Sequence, residues 1–128
     1  MLYNKSLVCL GDGDNIGDAI EFYLLSGNLD AARDFSYLVE NAITKIAELV
    51  EAQMEASLIY VAGDDICFEV SREKNIKQYL DDYSSLFLQI TGKTISFGVG
   101  TNSLEALVSL RKAKVSGKGC VVISRGTD

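Results

Sequence analysis

The chain has 128 residues, 48% of them hydrophobic, and 18 acids against 12 bases give it a net charge of −6. One domain covering 1–128 is expected, its apolar content fills a core, and a disordered chain is excluded. An acidic surface releases no counterions, which excludes bulk nucleic-acid binding by charge, and the absence of histidine removes Ser-His and Cys-His nucleophile pairs and imidazole bases.

Met1-Leu2-Tyr3-Asn4-Lys5 shows none of the charged, apolar and cleavage regions of a signal peptide. Ser6-Leu7-Val8-Cys9-Leu10 reads as a buried strand, ended by a tight turn at Gly11-Asp12-Gly13-Asp14. Asn15 to Leu25 reads as a helix, broken at Ser26-Gly27-Asn28. A long helix follows from Asp30, with Phe35, Leu38, Val39, Ala42, Ile43, Ile46, Val50 and Met54 on one core-facing stripe. Leu58–Ala62 and Ile66–Val70 are strand-like runs around Gly63-Asp64-Asp65, which predicts a β-hairpin. Ile76, Tyr79, Leu80, Tyr83, Phe87 and Ile90 mark an amphipathic helix with Gly92 as its stop. Ile95, Phe97 and Val99 alternate with Ser96 and Gly98, which predicts a half-buried strand. Asn102 and Glu105 predict a capping box for a helix through Leu104, Leu107 and Val108, and Val121-Val122-Ile123 a last strand.

The order β-α-α-β-β-α-β-α-β contains a β-α-β-β-α-β unit. The expected class is α+β, a ferredoxin-like antiparallel sheet with helices on one face. Cys9, Cys67 and Cys120 are too widely spaced for a zinc site. Reduced thiols in a cytoplasmic protein are expected. No apolar run reaches the ~18–20 residues of a membrane span.

The position of the acids is the unusual feature. Asp12 and Asp14 lie at the end of the first strand, and Asp64 and Asp65 at the hairpin tip. The ferredoxin-like order makes these strands neighbours, so up to four carboxylates meet at one edge. Bare carboxylates so close raise one another's pKa, and a divalent cation removes the conflict. Hard oxygen ligands at a substrate-open site suit Mg²⁺, and two ions ~3.5–4 Å apart support in-line attack of a hydroxyl on phosphorus. Arg111, Lys112, Lys114 and Lys118 add positive charge near the last strand, able to neutralise a triphosphate as point charges.

Other readings of Asp12-Gly13-Asp14 fit less well. An EF-hand loop from Asp12 puts Ile16 at its fifth position and Tyr23 where a bidentate glutamate belongs. A dinucleotide fold is opposed by the looser G-x-G-x-x-x-G spacing of Gly11, Gly13 and Gly17 and by the hairpin that follows the second strand. An aspartate-dependent phosphatase is opposed by Asp65 leading into Ile66-Cys67-Phe68, a strand rather than a helix.

Gly11-Asp12-Gly13-Asp14-Asn15-Ile16-Gly17, with Ala62-Gly63-Asp64-Asp65 on a hairpin, resembles the palm domain of type III CRISPR polymerases. Because the resemblance covers roughly the whole chain, with no fused nuclease or zinc module, the sequence resembles the minimal CRISPR polymerase family, stand-alone palm cyclases of anti-phage signalling. It extends to the GGDEF diguanylate cyclases through Ser96-Phe97-Gly98-Val99 and through Ala113-Lys114 followed by Gly117-Lys118. The resemblance implies that Asp12, the Gly13 carbonyl and Asp64 bind Mg²⁺ or Mn²⁺, with Asp65 assisting. It implies that Lys114 and Lys118 hold the triphosphate, with Gly13, Asp14, Asn15, Gly17 and Gly63 in the nucleotide-binding motifs. Ala62 replaces the first glycine of the hairpin motif, and the GGDEF base-reading pattern is not matched.

The resemblance thus implies a metal-dependent nucleotidyltransferase that makes a cyclic di- or oligonucleotide, with ATP as substrate. A lone palm has half a site for a two-nucleotide reaction, so a homodimer with an exposed apolar patch is expected, its product acting on a separate effector. The alternatives are a degenerate palm that senses nucleotide without turnover and the phosphatase.

Overall fold

The computed structural model describes residues 6–72 and 75–125. The reading of Met1-Leu2-Tyr3-Asn4-Lys5 lies outside them. Among the described residues, five strands and four helices follow one another as β1 (Ser6–Gly13), α1 (Ile16–Leu25), α2 (Leu29–Met54), β2 (Ser57–Ala62), β3 (Asp65–Ser71), α3 (Ile76–Thr91), β4 (Ile95–Gly100), α4 (Ser103–Val115) and β5 (Val121–Ile123). This is the expected element order. The sheet order is β2-β3-β1-β4-β5. β1 lies at its centre, antiparallel to both β3 and β4.

The core forms where apolar alternation on the strands meets the helical stripes. Leu7 and Cys9 of β1, Ile66, Phe68 and Val70 of β3, and Ile95, Phe97 and Val99 of β4 point to one face. Phe35, Val39, Ile43, Ile46 and Val50 of α2, with Leu80 and Phe87 of α3, cover that face. Leu38, expected on the α2 stripe, is exposed. Tyr83 is 1% exposed, and its hydroxyl donates to Gln53 Oε1 at 2.8 Å, tying α3 to α2. Asn28 caps α2 by accepting from the Ala31 N–H, and Gly92 ends α3 at φ 75°.

The layering differs from expectation in two respects. β5 runs parallel to β4, so the sheet is mixed. Moreover, α1, α2 and α3 share the core face, whereas α4 covers the opposite one. A Cβ on Gly98 would lie 2.2 Å from the Leu110 nitrogen and 2.4 Å from the Ala106 carbonyl oxygen, while its neighbours Phe97 and Val99 point into the core. β4 is therefore buried on both faces along its six residues rather than half-buried. The side of α4 that meets the sheet carries Ala106, Ser109, Leu110 and Ala113. Leu104, Leu107 and Val108, expected as its apolar face, are exposed. Small residues facing a glycine-containing strand allow helix and sheet backbones to approach closely, and that approach brings α4 over the end of β1.

The α4 cap is half of the expected box. Asn102 Oδ1 accepts from the Glu105 N–H at 2.9 Å. Glu105 Oε1 instead accepts from the Thr101 backbone and hydroxyl, at 2.9 and 2.8 Å. All three cysteines are free thiols, and no helix among the described residues is long and apolar enough to cross a membrane.

Candidate functional site

β1 continues through Gly13, so Asp12 lies in the strand and not in a turn after it. There it directly opposes Asp65, the first residue of β3. The hairpin turns at Gly63 and Asp64. Gly63 has φ 59°, a conformation that glycine adopts without strain. The Gly13 N–H donates to the Asp64 carbonyl at 3.1 Å and draws the hairpin tip onto β1. Gly13 is needed there, because a Cβ would come within 2.7 Å of Ile16 and 3.2 Å of Asp64. As a result Asp12, Asp64 and Asp65 each bring one carboxylate oxygen within 4.8 Å of the others.

Like charges at that spacing conflict. Burial pushes the Asp65 carboxyl up to about 7, helped by its hydrogen bond to Asp12 and by the charges of Asp12 and Asp64. Asp64 moves up by burial and the Asp12 charge. Burial acts upward on Asp12 too, but the hydrogen bonds from Asp65 and Lys114 outweigh it and hold Asp12 below the usual carboxylate range. The trio thus shares a proton near neutrality, the condition that a hard divalent cation relieves. These donors fit Mg²⁺ or Mn²⁺ by their chemistry.

A pH dependence follows. Asp65 binds its proton in the folded state up to about 7 and in the unfolded state only up to the ordinary 3.8. Between those values the folded state holds more protons, so this group makes stability fall as pH rises. In EDTA, the melting temperature should fall between pH 5 and pH 8. Added Mg²⁺ should raise it more at pH 8 than at pH 5, as read by a thermal melt series. A larger Mg²⁺ effect at pH 5 would contradict the protonated trio.

The expected fourth carboxylate does not join the trio. Asp14 is 1% exposed. It accepts from Thr94 Oγ1 at 2.7 Å, Ser96 Oγ at 2.9 Å, Lys114 Nζ at 2.7 Å and the Gly119 N–H at 2.9 Å. The cause is local: beyond β1, the Asp14 N–H still pairs with the Thr94 carbonyl, so its side chain enters the gap between β4 and residues 117–119. Burial opposes its charge, but Lys114, Thr94 and Ser96 outweigh this and lower its pKa. Thr94 and Gly119 carried no sequence signal for this role. Ser96 stood in the strand motif, with nothing to show that it binds Asp14.

Lys114 and Lys118 both reach the site. Lys114 Nζ lies 3.1 Å from Asp12 Oδ2 and 3.1 Å from the Gly13 carbonyl oxygen, so the expected metal-ligating carbonyl already accepts from a lysine. Lys118 Nζ donates to Asn15 Oδ1 at 2.7 Å. Asn15 and Lys118 both sit in the left-handed region, at φ 59° and 66°, a strain that clusters at functional sites. Asn15 precedes α1 and gives it no side-chain cap, which leaves the first-turn N–H groups open to an anion. Around Gly17 and Gly63 a Cβ would meet nothing within 4 Å; packing does not require glycine at Gly17, and open space surrounds both. Tyr60 of the edge strand β2, which the sequence reading passed over, pairs in register with Cys67 of β3. Burial raises its hydroxyl pKa, with Cys67, Asp65 and Asp12 adding to the shift.

The fold recurs in known structures. A Csm1-Csm4 cassette in complex with cA4 matches with TM-score 0.75 and 19% identity, over 94% of this chain and 21% of the matched one. This chain therefore spans about a fifth of that one. The active GGEEF domain of a diguanylate cyclase from Vibrio cholerae matches with TM-score 0.63 and 15% identity, over 94% and 84% of the two chains. A class III adenylyl cyclase-like ATP-binding protein from Pseudomonas aeruginosa matches with TM-score 0.66 and 12% identity, over 96% and 34%. No curated protein matches the chain. The minimal CRISPR polymerase domain matches across residues 8–124, which takes in β1 from Val8 onward, the hairpin, α4 and both lysines; the chain belongs to the minimal CRISPR polymerase family.

Proposed function

We propose that this chain is a divalent-cation-dependent nucleotidyl cyclase that joins nucleoside triphosphates, ATP first among them, into a cyclic di- or oligonucleotide. The observation that carries this reading is the convergence of Asp12, Asp64 and Asp65 within 4.8 Å, beside an uncapped helix N-terminus. The family match to a polymerase domain supports it, as do the cA4 complex of the similar cassette and the ATP binding of the adenylyl cyclase-like relative.

Asp12, Asp64 and Asp65 would hold Mg²⁺ or Mn²⁺, which when bound neutralises the carboxylates, lowers the pKa of a ribose hydroxyl and offsets charge building on phosphorus. The first-turn N–H groups of α1 and the Lys118 ammonium bind the phosphates. Gly17 and Gly63 leave room for their approach. Asp14 touches no substrate in this reading; it fixes Lys114 and the 117–119 segment. The ribose hydroxyl oxygen of one nucleotide bonds to the α-phosphorus of another as its proton passes to solvent and the bond to pyrophosphate breaks; a last attack of the same kind on the remaining triphosphate closes the ring and releases another pyrophosphate. Holding the two in line supplies much of the acceleration.

Two nucleotides must meet, and one palm presents one acidic cleft. A second copy of the chain closes over the substrates. The exposed Ile59, Tyr60 and Val61 of β2 supply apolar surface for it. The product acts as an anti-phage signal on a separate effector.

Product analysis tests this. Purified protein is incubated with ATP alone, and with all four nucleoside triphosphates, in Mg²⁺ or Mn²⁺, and products are read by mass spectrometry. A phosphatase-resistant cyclic product that vanishes in Asp64→Ala is expected. Inorganic phosphate without that product would replace the reading with a phosphatase, and bound nucleotide without turnover with a degenerate sensor.

A further inference from the structure

The acidic cleft already contains a cation. Lys114 Nζ donates to the Asp12 and Gly13 carbonyl oxygens at 3.1 Å each and to Asp14 Oδ1 at 2.7 Å, and lies 3.1 Å from Asp12 Oδ2. Four oxygens around one positive centre form the donor set that a hard metal ion uses. The Lys114 side chain is 16% exposed. Its position is also enforced from behind, since the buried Asp14 carboxylate is fixed by Thr94, Ser96 and Gly119.

We infer that Lys114 is a resident cation, which fills one of two cation positions in the cleft and excludes a divalent ion from it. The other position, among Asp12, Asp64 and Asp65, stays open to metal. An ammonium and a divalent ion cannot both occupy the position between Asp12 Oδ2 and the Gly13 carbonyl oxygen, because like charges at these distances repel. The free protein therefore takes up one ion. A second ion enters only when Lys114 leaves its oxygens, and a triphosphate offers the ammonium the anionic partner that it needs to do so. Loading of the second ion is thereby coupled to nucleotide. This inference rests on the metal-dependent reading above.

Mn²⁺ titration of the metal-free, nucleotide-free full chain tests it, with stoichiometry read by calorimetry and by the electron paramagnetic resonance of free Mn²⁺. Wild type should bind one ion per chain. Lys114→Met should bind two, the second at least tenfold tighter than any further binding to wild type. Because Lys114→Met leaves the buried Asp14 charge unpaired, and could offer it to the metal, the double variant Asp14→Asn/Lys114→Met is titrated beside it, with circular dichroism to confirm folding. Two ions on wild type, or a single ion on the folded double variant, would overturn the inference and leave the metal site standing. No ion on wild type would overturn both.

Discussion

Asp65→Asn should make the metal-free protein more stable and, at the same time, almost inactive. Asp65 directly opposes Asp12 across the β1–β3 pair, and directly opposed like charges destabilise a sheet. Burial, then the hydrogen bond to Asp12 and the charges of Asp12 and Asp64, push its carboxyl up to about 7. An asparagine keeps the shape, donates to Asp12 and removes one charge. The gain should be roughly 0.2–1 kcal/mol, about 1–4 °C in melting temperature for a chain of this size. The same change takes away one of three candidate metal ligands. If each supports several kcal/mol of transition-state stabilisation, turnover with ATP falls roughly a thousandfold. A melt in EDTA at pH 8 and a product assay at saturating Mg²⁺ give the two readings. A lower melting temperature, or activity within tenfold of wild type, would show that Asp65 is a structural residue at the start of β3.

The acids that meet were legible because strand order alone places them. Once Gly63-Asp64-Asp65 makes a hairpin beside β1, the hairpin tip comes to lie next to Asp12, which opposes Asp65 across the β1–β3 pair. Asp14 was not legible, because two positions along the same strand end suggest the same role. The difference lies in partners 80 or more residues away, Thr94, Ser96, Lys114 and Gly119, and sequence spacing does not report such contacts. α4 escaped for a related reason. The search for a buried face looked for bulk, and Leu104, Leu107 and Val108 supplied it. The face that packs is made instead of Ala106, Ser109, Leu110 and Ala113. What holds it is proximity of backbones, and the only sequence mark of that is the pair of glycines at Gly98 and Gly100.

Gly98→Val should be the most damaging single change away from the acids. A Cβ there would lie 2.2 Å from the Leu110 nitrogen, 2.4 Å from the Ala106 carbonyl oxygen and 2.7 Å from the Leu110 Cα. These are backbone atoms of a helix, which cannot turn aside as a flexible side chain can. α4 must lift away from β4, or β4 must bend and disturb Phe97 and Val99 in the core. Overpacking of this kind costs about 1–3 kcal/mol or more, which corresponds to a fall of about 4–12 °C or more. The effect reaches the site through Lys114, which follows Leu110 by four residues and so lies one turn further along the same side of α4. Lifting the helix carries its ammonium away from the cleft formed by Asp12, Gly13 and Asp14, beyond reach of a triphosphate bound there. Activity at a temperature where the variant is still folded should therefore fall more than tenfold. Leu104→Ala serves as the control: Leu104 is 69% exposed on the same helix, and its loss should change stability by less than about 0.5 kcal/mol. If Gly98→Val melted within 1–2 °C of wild type, roughly the scatter of surface substitutions, the close approach of α4 to β4 would not be what holds the lysine at the acidic cleft.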